Sequence, residues 1–134
     1  MFRAGNFELP LGERTYVLGI LNYTPDSFSD GGLYNTPEAA LERALAMQAQ
    51  GADIIDLGAN STRPTARIIS AAEELERITP ALEALKERLD IPLSVDTFYP
   101  TCAEAALKAG ASMINDVSGE FNADMAALAK KSNA

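Results

Sequence analysis

Four short apolar runs that each end in polar residues constrain the fold of this chain more than any other feature. The runs predict strands near residues 16–21, 53–57, 92–96 and 112–117, and the polar residues at or near their ends are Asn22, Asp56 with Asn60, Asp96 and Asn115. Strands of a parallel sheet are buried on both faces and are usually apolar throughout, so polar residues gathered at one end need a reason. Ligands bind at that end in α/β folds. The pattern therefore predicts a ligand site.

Helix signals alternate with these strands. The predicted helices begin at Thr36-Pro37, at the capping box that starts with Ser70, at Pro100 and at Ala123. Pro80 interrupts the second helix and predicts a kink, or a restart capped by Thr79. Strands that alternate with helices indicate right-handed βα units on a parallel sheet.

The number of units limits the architecture. Four βα units are present, whereas a TIM barrel has eight. The predicted fold class is therefore α/β, the N-terminal half of a TIM barrel, as one truncated domain over residues 1–134. A short N-terminal hairpin that pairs Phe7–Leu9 with Gly12–Arg14 is expected before the first strand.

Composition excludes several functional classes. The 134 residues carry a net charge of −8, which argues against nucleic acid or an anionic membrane as the main partner. The one cysteine, Cys102, cannot form an internal disulfide and suits a reducing cytoplasm, and we interpret it as a packing residue. No apolar run approaches 18 residues, so a soluble, cytoplasmic protein is expected. The chain has no histidine, so acid–base or metal chemistry within it must use carboxylates, amides and water.

Four motifs carry a resemblance to a known family. GILNYTPDSFSDGG, DLGANSTRP, SVDT and INDVSG occur in this order, from about Val17 to the end of the chain. Together they resemble the first half of the dihydropteroate synthases, the pterin-binding TIM-barrel transferases that sulfonamides inhibit. The resemblance implies condensation of (7,8-dihydropterin-6-yl)methyl diphosphate with 4-aminobenzoate, which yields dihydropteroate and diphosphate in folate biosynthesis. It also implies Mg²⁺ as the cofactor and small molecules as the partners.

The resemblance assigns roles to the polar strand ends. Asn22 matches the family's metal- and diphosphate-facing asparagine, while Asp96, Asn115 and Thr62 match residues that bind the pterin diphosphate substrate. Each has a local alternative. Asn22 could close a turn, Asp96 could cap a helix, Asn115 could be a buried amide bonded to backbone, and Thr62 could make a turn bond.

The resemblance also assigns loop residues that close over the aminobenzoate, namely Phe28, Ser61, Arg63 and Pro64. Arg63 could instead pair with Glu73 or Glu74 at the surface. Asp56 could orient Asn60 or Arg63. Thr65 stands where the family pattern has glycine, so the backbone after Pro64 is expected to differ.

The other half of the family's site is absent from these residues. The resemblance implies an aspartate, a lysine, and an arginine with a histidine from the sixth, seventh and eighth units. We therefore expect the chain alone to be inactive. Two alternatives remain: a pterin-binding methyltransferase domain, and a non-catalytic half-barrel that assembles with itself. A homo-oligomer would cover the inward side chains, which are Ile20, Ile55, Val95 and Ile114 or their neighbours one position away.

Overall fold

A computed structural model of the chain describes residues 1–24, 36–59 and 67–134. A hairpin of β1 (Phe2–Ala4) and β2 (Phe7–Leu9) precedes alternating strands and helices. These are, in chain order, β3 (Leu18–Asn22), α1 (Pro37–Ala49), β4 (Ile54–Gly58), α2 (Ala71–Leu85), β5 (Leu93–Asp96), α3 (Pro100–Lys108), β6 (Met113–Asn115) and α4 (Ala123–Ser132). Within these described stretches, no helix has both the length and the apolar character needed to cross a bilayer.

The four later strands form one parallel sheet in the order β3-β4-β5-β6. Each strand begins and ends within two residues of its predicted bounds. Because a helix connects β4 to β5 and β5 to β6, the predicted α/β fold class is confirmed.

The sheet has one covered face and one open face. Leu21, Leu57 and Val95 are aligned across neighbouring strands and are at most 1% exposed, because they pack with the helices in the hydrophobic core. The next row, on the opposite face, contains Ile20 and Asp56, and Ile20 is 62% exposed at the edge strand. Ile20 therefore belongs to the open face, whereas Val95 belongs to the core.

Side chains cap two helices where the sequence predicts them. The hydroxyl of Thr36 accepts a hydrogen bond from the Ala39 N–H at 3.2 Å, and the hydroxyl of Ser70 accepts one from the Glu73 N–H at 3.2 Å. Each bond satisfies a backbone donor that the first turn leaves without a partner. Both predicted helix starts are confirmed.

The predicted restart at Pro80 is wrong. Helix α2 is continuous through Pro80, and the hydroxyl of Thr79 donates to the Leu75 carbonyl at 2.6 Å within the same helix instead of capping a new one. Proline removes one helical hydrogen bond. The apolar face on both sides of it, including Ile78 and Leu82, stays buried against the core and holds the two halves in one helix.

The N-terminal hairpin exists, but its predicted pairing is wrong. Strand β2 pairs with β1, not with Gly12–Arg14, through a two-residue turn in which Gly5 has φ +59°. Gly5 also exchanges hydrogen bonds with Asn133 after α4, at 2.9 and 3.2 Å. The hairpin is thereby fastened to the last helix.

Candidate functional site

Three polar side chains lie in one row at the carboxyl ends of the strands. The strand register aligns Asn22 with Gly58, Gly58 with Asp96, and Asp96 with Asn115. Cα partners in a parallel sheet direct their side chains to the same face, here the open one. The strands therefore bring Asn22, Asp96 and Asn115 together as the sequence predicts.

Gly58 leaves a gap in this row. A Cβ atom built on Gly58 would lie 3.4 Å from both Cβ and Oδ2 of Asp96. Any side chain at this position would therefore stand against the Asp96 carboxylate. The glycine leaves that space beside the carboxylate open.

Asp56 lies beneath this row and orients Asn115. The side-chain amide of Asn115 donates from Nδ2 to Oδ2 of Asp56 at 3.0 Å, and Asp56 is 3% exposed. An ionised carboxylate only accepts hydrogen bonds, so it selects the amide orientation that directs N–H toward it. The amide oxygen of Asn115 is then available to a donor elsewhere. Sequence reasoning assigned Asp56 to Asn60 or Arg63, which lie outside the described residues, and missed this partner.

Asp56 also keeps an unused acceptor. Its Oδ1 atom is buried and has no hydrogen-bond partner among the described residues. Buried polar atoms are usually paired, because an unpaired one costs about 1–3 kcal/mol. The atom is therefore a candidate for accepting a hydrogen bond from a bound molecule or a water.

The local alternatives for two site residues are wrong. Asp96 does not cap helix α3, because Tyr99 occupies the cap position and provides no side-chain bond. Asn115 bonds to a carboxylate rather than to backbone. The turn after β6 is instead closed by Asp116, whose Oδ1 accepts from the Ser118 N–H at 2.9 Å.

The electrostatic environment of Asp96 is unusual. The pKa of its carboxyl is raised from 3.8 to about 6, mainly by burial and then by the negative charges of Asp56, Glu74 and Asp116, in that order. A carboxylate crowded by other carboxylates is stabilised by any molecule that presents hydrogen-bond donors to it. Perturbed carboxyl groups of this kind are enriched at functional sites.

Other predicted site residues lie outside the described residues, namely Phe28, Ser61, Thr62, Arg63 and Pro64. Asn22 is described and is exposed at the end of β3. Within the described part of the chain, no group of three or more Asp, Glu, His or Cys residues is placed to hold a metal ion.

Residues 18–134 match the family model described as pterin binding enzyme. Among curated proteins, the dihydropteroate synthase of Clostridium beijerinckii is 49% identical over 132 residues, which cover 98% of this chain and 49% of that protein. The dihydropteroate synthase of Synechocystis is 52% identical over 124 residues, which cover 92% of this chain and 43% of that protein. The chain thus spans about half the length of the curated relatives it matches.

A solved structure agrees with these matches. The dihydropteroate synthase from Clostridium difficile, solved in the presence of pteroic acid, superposes with a TM-score of 0.81 at 48% identity. The superposition covers 100% of this chain and 49% of that one. The four βα units described above therefore correspond to about half of a complete enzyme of this kind.

Proposed function

The chain belongs to the pterin binding enzyme family, and on that premise we propose that it forms the N-terminal half of a dihydropteroate synthase. The proposed reaction joins 4-aminobenzoate to (7,8-dihydropterin-6-yl)methyl diphosphate and releases diphosphate. The relatives from Clostridium beijerinckii and Synechocystis are both named dihydropteroate synthase. They support a synthase over a pterin-binding methyltransferase.

One observation carries this proposal: Asp96 and Asn115 stand side by side at the strand ends, and Asp56 fixes the amide of Asn115. A pterin edge presents an amino group and a ring N–H as donors beside ring acceptors. The Asp96 carboxylate supplies two acceptors for those donors, and the oxygen of the Asn115 amide can accept a further hydrogen bond. The gap at Gly58 gives a flat ring room beside the carboxylate.

Asn22 is proposed to face the diphosphate and Mg²⁺. Its amide oxygen is a hard, neutral ligand, and Mg²⁺ is usually held by few protein ligands together with substrate phosphates and water. The exposed Asn22 side chain at the end of β3 fits that kind of shared coordination. When bound, the ion would neutralise charge that develops on the departing diphosphate.

The two segments that follow β3 and β4 are proposed to complete this half of the site. They leave the sheet directly after Asn22 and Gly58 and carry Phe28, Ser61, Thr62, Arg63 and Pro64. Thr62 would contact the pterin diphosphate, and the other four would close over the aminobenzoate. Arg63 is suited to a carboxylate or a diphosphate because its guanidinium donates two parallel hydrogen bonds.

The chain's residues would act by binding and orientation rather than by covalent attack. The amine nitrogen of 4-aminobenzoate forms a bond to the methylene carbon of the pterin, the carbon–oxygen bond breaks, and its electron pair leaves with the diphosphate. The nitrogen then loses a proton to solvent. Cys102 is a poor nucleophile here, since burial, together with Glu74, raises the pKa of its thiol to about 12. Holding both substrates and the leaving anion is then the main contribution.

The remaining cationic residues of the site are proposed to lie in the other half of the barrel. This chain alone is therefore proposed to be inactive, and a homo-oligomer of it would add no lysine or arginine of those later units. Cytoplasmic location remains part of the proposal, and it is consistent with the single buried cysteine.

The test is a synthase assay on the full-length protein that contains this chain. We expect it to convert 4-aminobenzoate and the dihydropterin diphosphate to dihydropteroate, with a rate that falls at least about tenfold in Asp96→Asn, because a buried donor–acceptor pair is lost. Asp124→Asn is the matched control, because Asp124 is exposed on α4. No turnover by the full-length protein, or equal rates in both variants, would contradict the proposal. A stable inactive oligomer would favour the non-catalytic half-barrel.

A further inference from the structure

Glu74 is a buried carboxylate that the proposed reaction does not use. It lies in the first turns of helix α2 and is only 1% exposed. Burying a carboxylate is costly unless hydrogen bonds compensate. Two features compensate here: the helix N-terminus favours a negative charge, and the hydroxyl of Thr97 donates to Oε2 of Glu74 at 2.6 Å. A leucine at this position on the buried helix face would need neither a hydrogen-bond donor nor a compensating charge.

Thr97 connects Glu74 to both described pterin-site residues. It follows Asp96 directly in the chain, and its backbone N–H donates to the carbonyl of Asn115 at 3.1 Å. Its side chain is 2% exposed and points away from the open face toward α2, where it reaches Glu74. One residue thus joins the ends of β5 and β6 to a helix behind the sheet.

Two hydrogen bonds of Tyr99 close this connection into a ring. The Tyr99 N–H donates to Oγ1 of Thr97 at 3.1 Å, and the Tyr99 hydroxyl donates to the carbonyl of Ile69 at 2.7 Å. Ile69 precedes Ser70, the cap of α2, so the segment after β5 is fixed to the start of the same helix at two points. A threonine held on three sides cannot move without breaking a buried bond.

We propose that Glu74 and Thr97 are positioning residues for the pterin site, which hold the ends of β5 and β6 so that Asp96 and Asn115 keep their mutual geometry. This inference rests on the proposed function. Glu74 also acts on Asp96 through its charge, since Glu74 from α2, Asp56 from β4 and Asp116 after β6 all raise the pKa of Asp96. Glu74 therefore has a geometric effect and an electrostatic effect that can be separated by substitution.

The geometric effect is tested with Thr97→Val and Thr97→Ser in the full-length protein. Valine keeps the shape of threonine but removes the hydroxyl, whereas serine keeps the hydroxyl but removes a methyl group. We expect the Kd for the dihydropterin diphosphate, measured by calorimetry, to rise about tenfold or more in Thr97→Val and less than about threefold in Thr97→Ser. Only valine removes the hydroxyl and with it the hydrogen bonds to Glu74 and from the Tyr99 N–H. Thr79→Val is the matched control, since Thr79 is exposed on α2.

If Thr97 acted only through packing, the order of affinities would be reversed, and Thr97→Ser would bind the dihydropterin diphosphate more weakly than Thr97→Val. That order, or unchanged affinity in Thr97→Val, would overturn the inference. The proposed function fails separately: a wild-type protein that does not bind the dihydropterin diphosphate contradicts the proposed function itself. A wild-type protein that binds it, with Thr97→Val equally tight, contradicts the positioning role alone.

The electrostatic effect is tested with Glu74→Gln, which keeps an acceptor for Thr97 but removes the charge. We expect affinity near pH 8 to stay within about threefold of wild type, because the hydrogen bond remains. Affinity falls on acidification as Asp96 takes up a proton, and the midpoint of that fall should move to a lower pH in Glu74→Gln. An unchanged midpoint, with Asp56 and Asp116 intact, would overturn the charge coupling.

Discussion

Replacing Asp96 by asparagine should stabilise the unliganded protein near neutral pH while it weakens pterin binding. The carboxylate lies among three other carboxylates and is half-buried, so its charge opposes folding. Asparagine keeps the size and the position but carries no charge. Its amide N–H can also donate toward the neighbouring acidic groups. The substitution therefore removes a cost of folding, together with the acceptor pair that a pterin requires.

The size of the effect follows from the pKa. The pKa of Asp96 rises from 3.8 to about 6 on folding, about two units, which corresponds to about 3 kcal/mol at most. Asp96 is only partly buried, so solvent screening reduces this to about 1 kcal/mol. The sign follows from linkage. The pKa of Asp96 is higher in the folded state than in the unfolded state, so the carboxyl contributes fully to stability below the unfolded pKa of 3.8. That contribution is lost as the pH rises through the folded pKa of about 6. The gain from Asp96→Asn should therefore be near zero at pH 4 and complete above pH 7.

Denaturant unfolding of wild type, Asp96→Asn and the Asp124→Asn control at pH 4, 6 and 8 measures this directly. The expected free-energy difference grows by about 1 kcal/mol between pH 4 and 8 in Asp96→Asn only. In parallel, the Kd for the dihydropterin diphosphate should rise about 5- to 150-fold at pH 8, because one acceptor is replaced by a donor that faces other donors. A stability difference that does not change with pH would show that the Asp96 charge does not oppose folding, and an unchanged Kd would show that its carboxylate does not bind the pterin.

Three further predictions concern Gly58, Gly5 and Cys102. Gly58→Ala should weaken pterin binding about tenfold with little loss of stability, because the added methyl group enters the space beside Asp96. Calorimetry measures the affinity and thermal unfolding measures the stability. Unchanged affinity would show that the pterin does not use the gap at Gly58. Gly5→Ala should lower the free energy of unfolding by more than Gly12→Ala. Both glycines have positive φ, so alanine costs about 1–2 kcal/mol of backbone strain at either position. Of the two, only the Cβ atom added at Gly5 would contact a neighbour, the Cβ atom of Ser112 at 3.0 Å. Equal losses would exclude the contact as a cause. The thiol of Cys102 should react with a thiol reagent at pH 8 only after unfolding, because burial raises its pKa to about 12; rapid reaction in the folded state would contradict this.

The features that the sequence predicts correctly depend on neighbours in the chain. Thr36 before Pro37 and Ser70 before Glu73 are caps formed within three residues, so local chemistry determines them. The strands follow from apolar runs for the same reason. Polar residues at the ends of four parallel strands must then meet at one edge, which is why the row of Asn22, Asp96 and Asn115 was predictable.

The features that the sequence does not predict depend on contacts between distant residues. The continuity of α2 through Pro80 comes from an apolar face held against the sheet, and no local rule contains that packing. The bond between Asp56 and Asn115 joins residues 59 apart in the chain, across an intervening strand. A glutamate on an otherwise apolar helix face was a signal for the buried Glu74, but its partner Thr97 is 23 residues away.

A crystal structure of the full-length protein with bound pteroic acid would show directly whether Asp96 and Asn115 bind the pterin. We predict that the pterin ring lies over Gly58, with its amino group and ring N–H within about 3.2 Å of the Asp96 carboxylate. The Asn115 amide should lie beside the ring and still donate to Asp56. A pterin bound elsewhere, or bound with Asp96 directed away from it, would contradict the proposed pterin site.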